Sequence, residues 1–417
     1  MTDPQPTAAR QGDDPADNLA SLAPSHGALE HLTALRRAHA DATSFYIGCL
    51  HAPTLAAATA REVLAHRGVS ADAVAAYQLG LAPSSWTALV DHLRGRGYDQ
   101  AQLLGAGLAL RSRRGTLVDR FRDRLMIPVH QPDGRHVVGF LGRALHPDDR
   151  TPKYLNSPET ALYRKSDLLY GLGAVPVLSA LAAGARPVLV EGAFDAVAVT
   201  CASRGRYAGV APSGTALTDG HIAALASAVR LSQREVVVTF DADAAGRAGA
   251  LRCFAPLRAR GYWPTATRLP EGEDPASLMQ TSGAAALLEK LDAAQPLVDL
   301  VVDDRIADFA ETLQWAEGRV GATRSAAAVI AGLPPERVGP QIARVAAAVG
   351  VDVGSVLEEV LACAGASTPA EHEADQPRLA VGLWRTALEQ PARRLPVSAA
   401  LSRKAPPPLA GPHAHQR

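Results

Sequence analysis

Residues 235–246 read EVVVTFDADAAG, a short apolar run that stops at an acid, repeats the acid two residues later and passes through alanine and glycine into a helix. A continuous apolar run of this length, bounded by a turn signal, is the pattern of a strand buried on both faces. The same grammar surrounds it. PVLV (187–190) ends at Glu191 and Gly192 and leads into the helical FDAVAVTCAS. YAGVA (207–211) leads through Pro-Ser-Gly into DGHIAALASAV, and TATRL (265–269) ends at PEGEDP. Strands alternating with helices predict an α/β domain with a parallel sheet covered on both faces. Its functional crevice then lies at the carboxyl ends of the strands.

The acids fall at those ends: Glu191 after one strand, Asp241 and Asp243 after another, Asp274 after a third. Carboxylates gathered in one place repel each other unless a cation neutralises them. On an extended segment, positions i and i+2 aim Asp241 and Asp243 to one side. Oxygen ligands without His or Cys select Mg²⁺ or Mn²⁺ over zinc. The competing reading is that these acids are helix caps, and Asp241, just before Ala244–Gly246, is placed to be one. Asp195 follows Glu191 by four residues and shares its face. It either orients a ligand or a basic partner from behind, or is a solvated helix acid.

Upstream, residues 28–110 carry apolar residues at spacings of three and four with breaks at Gly68, Gly80, Pro83, Gly95 and Gly97, a small helical subdomain. RLMIPVH (124–130) and HVVGFLGRAL (136–145) flank Pro132-Asp133-Gly134 as a hairpin. Arg111, Arg113, Arg114, Arg120, Arg122 and Arg124 precede or open it, opposed by Asp119 and Asp123. Such a patch binds phosphates even where Lys+Arg 42 balance Asp+Glu 42; the other reading is a solvated arginine run. Lysine is scarce: only Lys153, Lys165, Lys290 and Lys404 occur, and two of them share the stretch 151–172. Residues 1–27 and 366–417 lack periodicity and read as a disordered leader and tail. Between them we expect an N-terminal helical and mixed α+β subdomain over 28–185, the parallel-sheet domain over 186–295 and a helical bundle over 296–365. With 47% apolar residues, 417 residues can bury a real core. No apolar run approaches a membrane span and the start is unlike a signal peptide, so the chain reads as cytoplasmic, with no membrane partner. Cys49, Cys201, Cys253 and Cys363 form no C-x-x-C pair, which excludes a zinc ribbon within these residues. Cys49 and His51, the only near pair, read as ordinary helix residues.

Taken together, E-G-x-x-D at 191–195, D-x-D-x-A-G at 241–246 and GEDP at 272–275 resemble the TOPRIM domain, a Rossmann-like metal-binding fold of bacterial primases, topoisomerases and some nucleases. DRFRDRLMIP (119–128), GFLGRAL (139–145) and TPKYLNSPETALYRKSDLLYGL (151–172) resemble the catalytic core of DnaG-type bacterial DNA primases, as does VLAHRGVSADAVAAYQLGLAPSSW (63–86). The resemblance covers roughly residues 30–365. It implies synthesis of short RNA primers from nucleoside triphosphates on single-stranded DNA, a metal-dependent nucleotidyl transfer. Carried over by motif, it makes Glu191, Asp241 and Asp243 the metal-binding catalytic acids, with Asp195 and Asp274 in support. Lys153 and Lys165 act beside them, and Arg120, Arg122, Arg143, Tyr154 and Asn156 line the groove for template and triphosphate.

The pattern departs from the family in three ways. Ala276 stands where the family carries a further acid after GEDP, which leaves the number of metals open. The usual N-terminal zinc ribbon is missing and the helicase-binding region is at best abbreviated. We therefore expect a zinc-ribbon protein acting in trans and a replicative helicase among the partners, and no zinc in the chain itself. A topoisomerase would need a strand-passage toroid, and a nuclease coupled to an ATPase would need a phosphate-binding Gly-Lys pair, absent here. The remaining alternative is a catalytically weak accessory that binds single-stranded DNA.

Overall fold

The computed structural model describes residues 26–146, 151–212, 214, 216–229 and 235–366. The disorder expected at the two ends therefore lies outside the described residues, apart from His26 and Gly27, which already belong to the first helix, and Ala366, which ends the last. The chain divides into two units after Val301.

In the first unit the order is α1 (His26–His51), α2 (Leu55–His66), α3 (Ala71–Ala76), β1 (Gly80–Ala82), α4 (Ala88–Gly95) and α5 (Gln100–Gly105). There follow β2 (Ala109–Arg111), β3 (Leu117–Asp119), β4 (Arg124–His130), β5 (Val137–Ala144), β6 (Tyr154–Asn156), a 3₁₀ turn (Lys165–Asp167) and α6 (Val175–Ala182). The strand–helix alternation then begins: β7 (Arg186–Leu189), α7 (Ala193–Ser203), β8 (Tyr207–Val210), α8 (Asp219–Ala228), β9 (Val237–Val238), α9 (Ala244–Ala259), β10 (Thr265–Ala266), α10 (Pro275–Asp292) and β11 (Gln295–Pro296), and the division between the units falls within the next helix, α11 (Leu297–Ala307).

Two sheets organise this unit. The hairpin β4–β5 pairs antiparallel as its Pro-Asp-Gly bend requires, with Gly134 at φ 73°, a left-handed conformation that glycine adopts without strain. β1 and β6 flank it in the order β1-β4-β5-β6. Every residue of β5 is buried, and β4 is buried up to His130, because both faces are covered. The period of two divides β4 between two cores: Leu125, Ile127 and Val129 enter one cluster, while Met126 joins α1, α4 and α5 through Leu35, Tyr46, Leu93 and Leu103. The first of these clusters runs on into the second sheet, order β11-β10-β9-β7-β8, whose strands are parallel except for β11. Val188, Leu189, Val237 and Val238 are at most 1% exposed there, buried beneath helices as an α/β fold requires.

The α/β class is therefore as expected, and three local features differ from the sequence reading. β1 interrupts the helical region; its Gly80 crosses α1 so closely that a Cβ would lie 2.7 Å from the Tyr46 carbonyl carbon. The arginine run 111–114, to which the sequence reading assigned no element, is the tip of a β2–β3 hairpin. β11 adds an antiparallel edge that its short polar text does not announce.

The second unit is helical, continuing with α12 (Ala316–Ile330), α13 (Pro335–Val349) and α14 (Val353–Ala366). α13 buries Val338, Ile342, Val345 and Val349 along one stripe, starts with proline and ends at left-handed Gly350. Arg344 pairs with Asp303 through two bonds of 3.0 and 2.7 Å. Among the described residues no helix is long and apolar enough to cross a membrane.

Candidate active site

The parallel sheet delivers its acids where doubly wound topology predicts. Glu191 follows β7 and Asp241 follows β9, the two neighbouring central strands, so both stand at the carboxyl edge. The backbone N–H of Asp241 donates to Glu191 Oε1 at 3.2 Å. Glu191, Asp195, Asp241 and Asp274, with Lys153, Tyr154 and Arg67, line one cleft of about 240 Å³.

Crowding shows in their protonation. Burial, then the charges of Glu191, Asp274 and Asp243, pushes Asp241 up to about 6, with Lys153 acting in the opposite sense. Burial also raises Glu191. Asp195 is pushed up to about 8, by burial first and then by Asp274 and Asp241. The Asp241 Oδ1 atom is buried without a hydrogen-bond partner. An orphaned acceptor among mutually repelling carboxylates, with only oxygen donors, fits a hard divalent cation. Yet no group of three or more His, Cys, Asp or Glu among the described residues already converges as a metal cluster. Several of the carboxyls are turned instead onto backbone N–H groups.

Those N–H partners revise two details of the sequence reading. Asp243, not Asp241, caps α9, accepting from Gly246 N at 2.7 Å. Because β9 ends at Val238, the alternation of an extended strand does not reach these acids, and Asp243 opens onto an adjoining cleft of about 650 Å³ that Asp241 shares. Gly246 is required at the turn, since a Cβ there would sit 2.1 Å from the Asp241 carbonyl oxygen. Asp274 likewise caps α10, through Ser277 N at 2.6 Å. Asp195 is no solvated helix acid: it is 8% exposed and straps two turns together, Oδ2 accepting from Gly192 N and Oδ1 from Ala276 N, each at 3.2 Å. An acid at position 276, itself buried, would add a further carboxyl next to this one.

The basic residues separate into struts and free groups. Arg120 donates through Nε and Nη2 to the Asn156 carbonyl, at 3.3 and 2.8 Å, tying β6 to the end of β3. Arg143, 7% exposed, lies 5.9 Å from the centres of both the Tyr154 and Phe194 rings. Lys153 is exposed, with Nζ 6.0 Å from the Tyr154 ring centre. Lys165 Nζ donates to the carbonyl of Gly214, which also lines the acid cleft, at 3.3 Å. Its turn is held by α8, where His221 Nε2 meets the Lys165 carbonyl at 2.8 Å.

Two residues enter that sequence reasoning did not single out. Arg67, at the end of α2, lines the acid cleft, with burial and neighbouring Arg143 lowering its pKa. Trp86 is 63% exposed with the Arg122 guanidinium 4.2 Å over its ring, an open stacking surface in the arginine region. Its signal in the sequence was a lone tryptophan after Pro83-Ser84-Ser85, which carries no periodicity.

Comparison with known proteins agrees with this geometry. Residues 45–175 match the family described as DNA primase catalytic core, N-terminal domain, and residues 188–279 match the Toprim-like family. The chain is 36% identical over 309 residues to a DNA primase of Streptomyces coelicolor, covering 74% of this chain and 47% of the relative. It is 40% identical over 233 residues to a DNA primase of Deinococcus radiodurans, covering 56% of this chain and 39% of that one. The chain thus spans less than half the length of these curated relatives. Among solved structures, the RNA polymerase domain of Mycobacterium tuberculosis primase DnaG superposes with a TM-score of 0.65 at 33% identity, covering 76% of this chain and 98% of that one. A DnaG primase catalytic domain bound to single-stranded DNA gives 0.64 at 30% identity, covering 78% and 99%.

Proposed function

Since the chain belongs to the family of DnaG-type bacterial primase catalytic cores, we propose that it joins nucleoside triphosphates into short RNA primers on a single-stranded DNA template. The observation that carries this reading is the single cleft in which Glu191, Asp195, Asp241 and Asp274 face Lys153 and Tyr154. In this reading residues 28–185 form the core's N-terminal subdomain, 186–295 the metal-binding domain and 296–365 a helical bundle.

Glu191, Asp241 and Asp243 would hold Mg²⁺ or Mn²⁺, with Asp195 and Asp274 supporting them. When bound, the metal supplies charge stabilisation to the transferring phosphoryl group and the departing pyrophosphate. The chain's own residues supply position. Lys153 offers a compact ammonium to phosphate oxygens at the cleft, and Lys165 does so from the side of Gly214. Asp195 fixes the Glu191–Gly192 turn against the start of α10 through its two backbone bonds. Arg143 and Tyr154 build the wall beside the acids, and Arg120 holds β6, with Asn156, in register. Arg122 with Trp86 presents a cation and a ring to a single strand, matching what such strands bind: phosphate charge and base faces.

Two partners follow from the same chemistry, a single-stranded template and nucleoside triphosphates; a replicative helicase is expected from the family resemblance alone. The 417 residues hold no C-x-x-C pair, so a zinc ribbon that selects start sites would come from outside them.

The test is incubation of the purified chain with labelled ATP, the other triphosphates, Mg²⁺ or Mn²⁺ and single-stranded DNA. Short RNA products, lost in Glu191→Gln, are expected. Template binding without any product under either metal, with a zinc-ribbon protein added or a preformed primer supplied, would instead favour a binding accessory.

A further inference from the structure

Asp119 takes no part in the acid cleft, yet it is 1% exposed in an arginine-rich stretch. Both its oxygens accept backbone N–H groups at 2.9 Å: Oδ2 from Leu89 and Oδ1 from Val90, the second and third residues of α4. Thr87, the residue in the capping position of that helix, makes no side-chain cap bond. A carboxylate thirty residues away therefore satisfies the orphan donors and faces the positive end of the helix. The backbone of Asp119 is tied to the same place. Its N–H donates to the Trp86 carbonyl at 2.7 Å, and its own carbonyl accepts from Arg122 Nη1. One residue thus holds the start of α4, the carbonyl of Trp86 and the guanidinium that stacks over the Trp86 ring.

We infer that Asp119 is a positioning residue for template binding, clamping the Trp86 loop to β3 so that the ring and Arg122 stay stacked and open to a base. This rests on the reading of that surface as the single-strand face. A residue that merely capped α4 could be replaced by a local cap, because Thr87 already stands in place and lacks only an acceptor in use. What a local cap cannot supply is the connection between α4 and β3. Burial pushes the Asp119 carboxyl up to about 6 against the two N–H bonds that lower it.

The experiment measures single-stranded DNA affinity by fluorescence anisotropy and stability by thermal denaturation. The variants are Asp119→Asn, Trp86→Ala, both together, and Asp119→Asn with Thr87→Asp. Loss of one stacked base is expected to weaken binding by about 5- to 20-fold in Trp86→Ala. Asp119→Asn should give a similar loss alone and none in the Trp86→Ala background. Thr87→Asp should recover the melting temperature of Asp119→Asn but not its affinity. Recovery of affinity with the local cap, additive losses in the double variant, or wild-type binding by Asp119→Asn would each overturn the inference. Wild-type binding by Trp86→Ala would instead remove the single-strand reading beneath it. Should Asp119→Asn alone fail to fold, the locally capped variant carries the comparison.

Discussion

Asp241 donates its backbone N–H to Glu191 Oε1 at 3.2 Å, so the carboxyl that ends one central strand is steered by the residue that follows its neighbour. The pair is coupled in charge as well, since Glu191 follows burial as a cause of the raised pKa of Asp241. Removing either charge relieves repulsion and removes a metal ligand at once. Asp241→Asn should therefore lower primer synthesis by on the order of a hundredfold or more. In chelator, its thermal stability should equal or slightly exceed that of the wild type. A wild-type rate would take Asp241 out of the chemistry.

The Lys153 side chain is exposed and makes no hydrogen bond or ion pair among the described contacts beyond its approach to Tyr154. Lys153→Ala should then cut activity strongly while the melting temperature moves by no more than ~1 to 2 °C, as for an exposed site. An unfolded variant whose remaining folded fraction has normal specific activity would make this lysine structural.

His39 gives the fold an acid limit unrelated to the active site. It is completely buried on α1, with Nδ1 2.9 Å from the Leu35 carbonyl and its ring stacked on Phe140, and burial pushes its pKa down to about 4. The unfolded chain takes up this proton near pH 6.5, whereas the folded one resists until about pH 4. Stability is thus lost as pH falls through that window, by about 2 kcal/mol at pH 5 from this one group. Asp119, Asp195 and Asp241 work in the opposite sense, because their raised pKa values favour the folded protein as pH falls. A difference curve between His39→Gln and the wild type isolates the histidine. It should show the variant losing less stability between pH 7 and pH 5, and parallel curves would contradict the assignment.

The sequence was legible where chemistry and periodicity coincide. Acids at the ends of apolar runs gave the α/β sheet, and the sheet put Glu191, Asp241 and Asp274 on one cleft because strand ends converge by topology. Legibility failed where a backbone donor decides a side chain's role. Whether Asp241 or Asp243 caps α9 depends on where β9 stops, and an apolar run of four or five residues does not announce a two-residue strand. Asp119 sits among arginines and reads as their counter-charge; only the fold brings it to Leu89 and Val90, thirty residues away. Arg67 and Trp86 are single residues at element ends, and periodicity carries no information about them.

Arg120 and Arg122 stand two residues apart in one motif, and the structure gives them opposite duties. Arg120 is half-buried, its pKa lowered by that burial, and it spends two N–H groups on the Asn156 carbonyl. Arg122 lies over an exposed tryptophan, where its charge can meet a phosphate. On a single strand each neutralised phosphate contributes about 0.7 to the slope of log affinity against log salt. Arg122→Ala should therefore flatten that slope by roughly this amount, with a smaller loss of stability than Arg120→Ala, because one guanidinium nitrogen bonds the Asp119 carbonyl where Arg120 commits two to Asn156. Arg120→Ala should leave the slope nearly as it was and destabilise the fold by about 1.5 to 3 kcal/mol, the worth of a charged donor's bonds. Trp86→Ala supplies the control, weakening binding at every salt concentration without changing the slope, because stacking releases no counterions. If Arg120→Ala flattens the slope and Arg122→Ala does not, the strut and the phosphate contact have been exchanged, and the groove runs along β6 and not across the Trp86 loop.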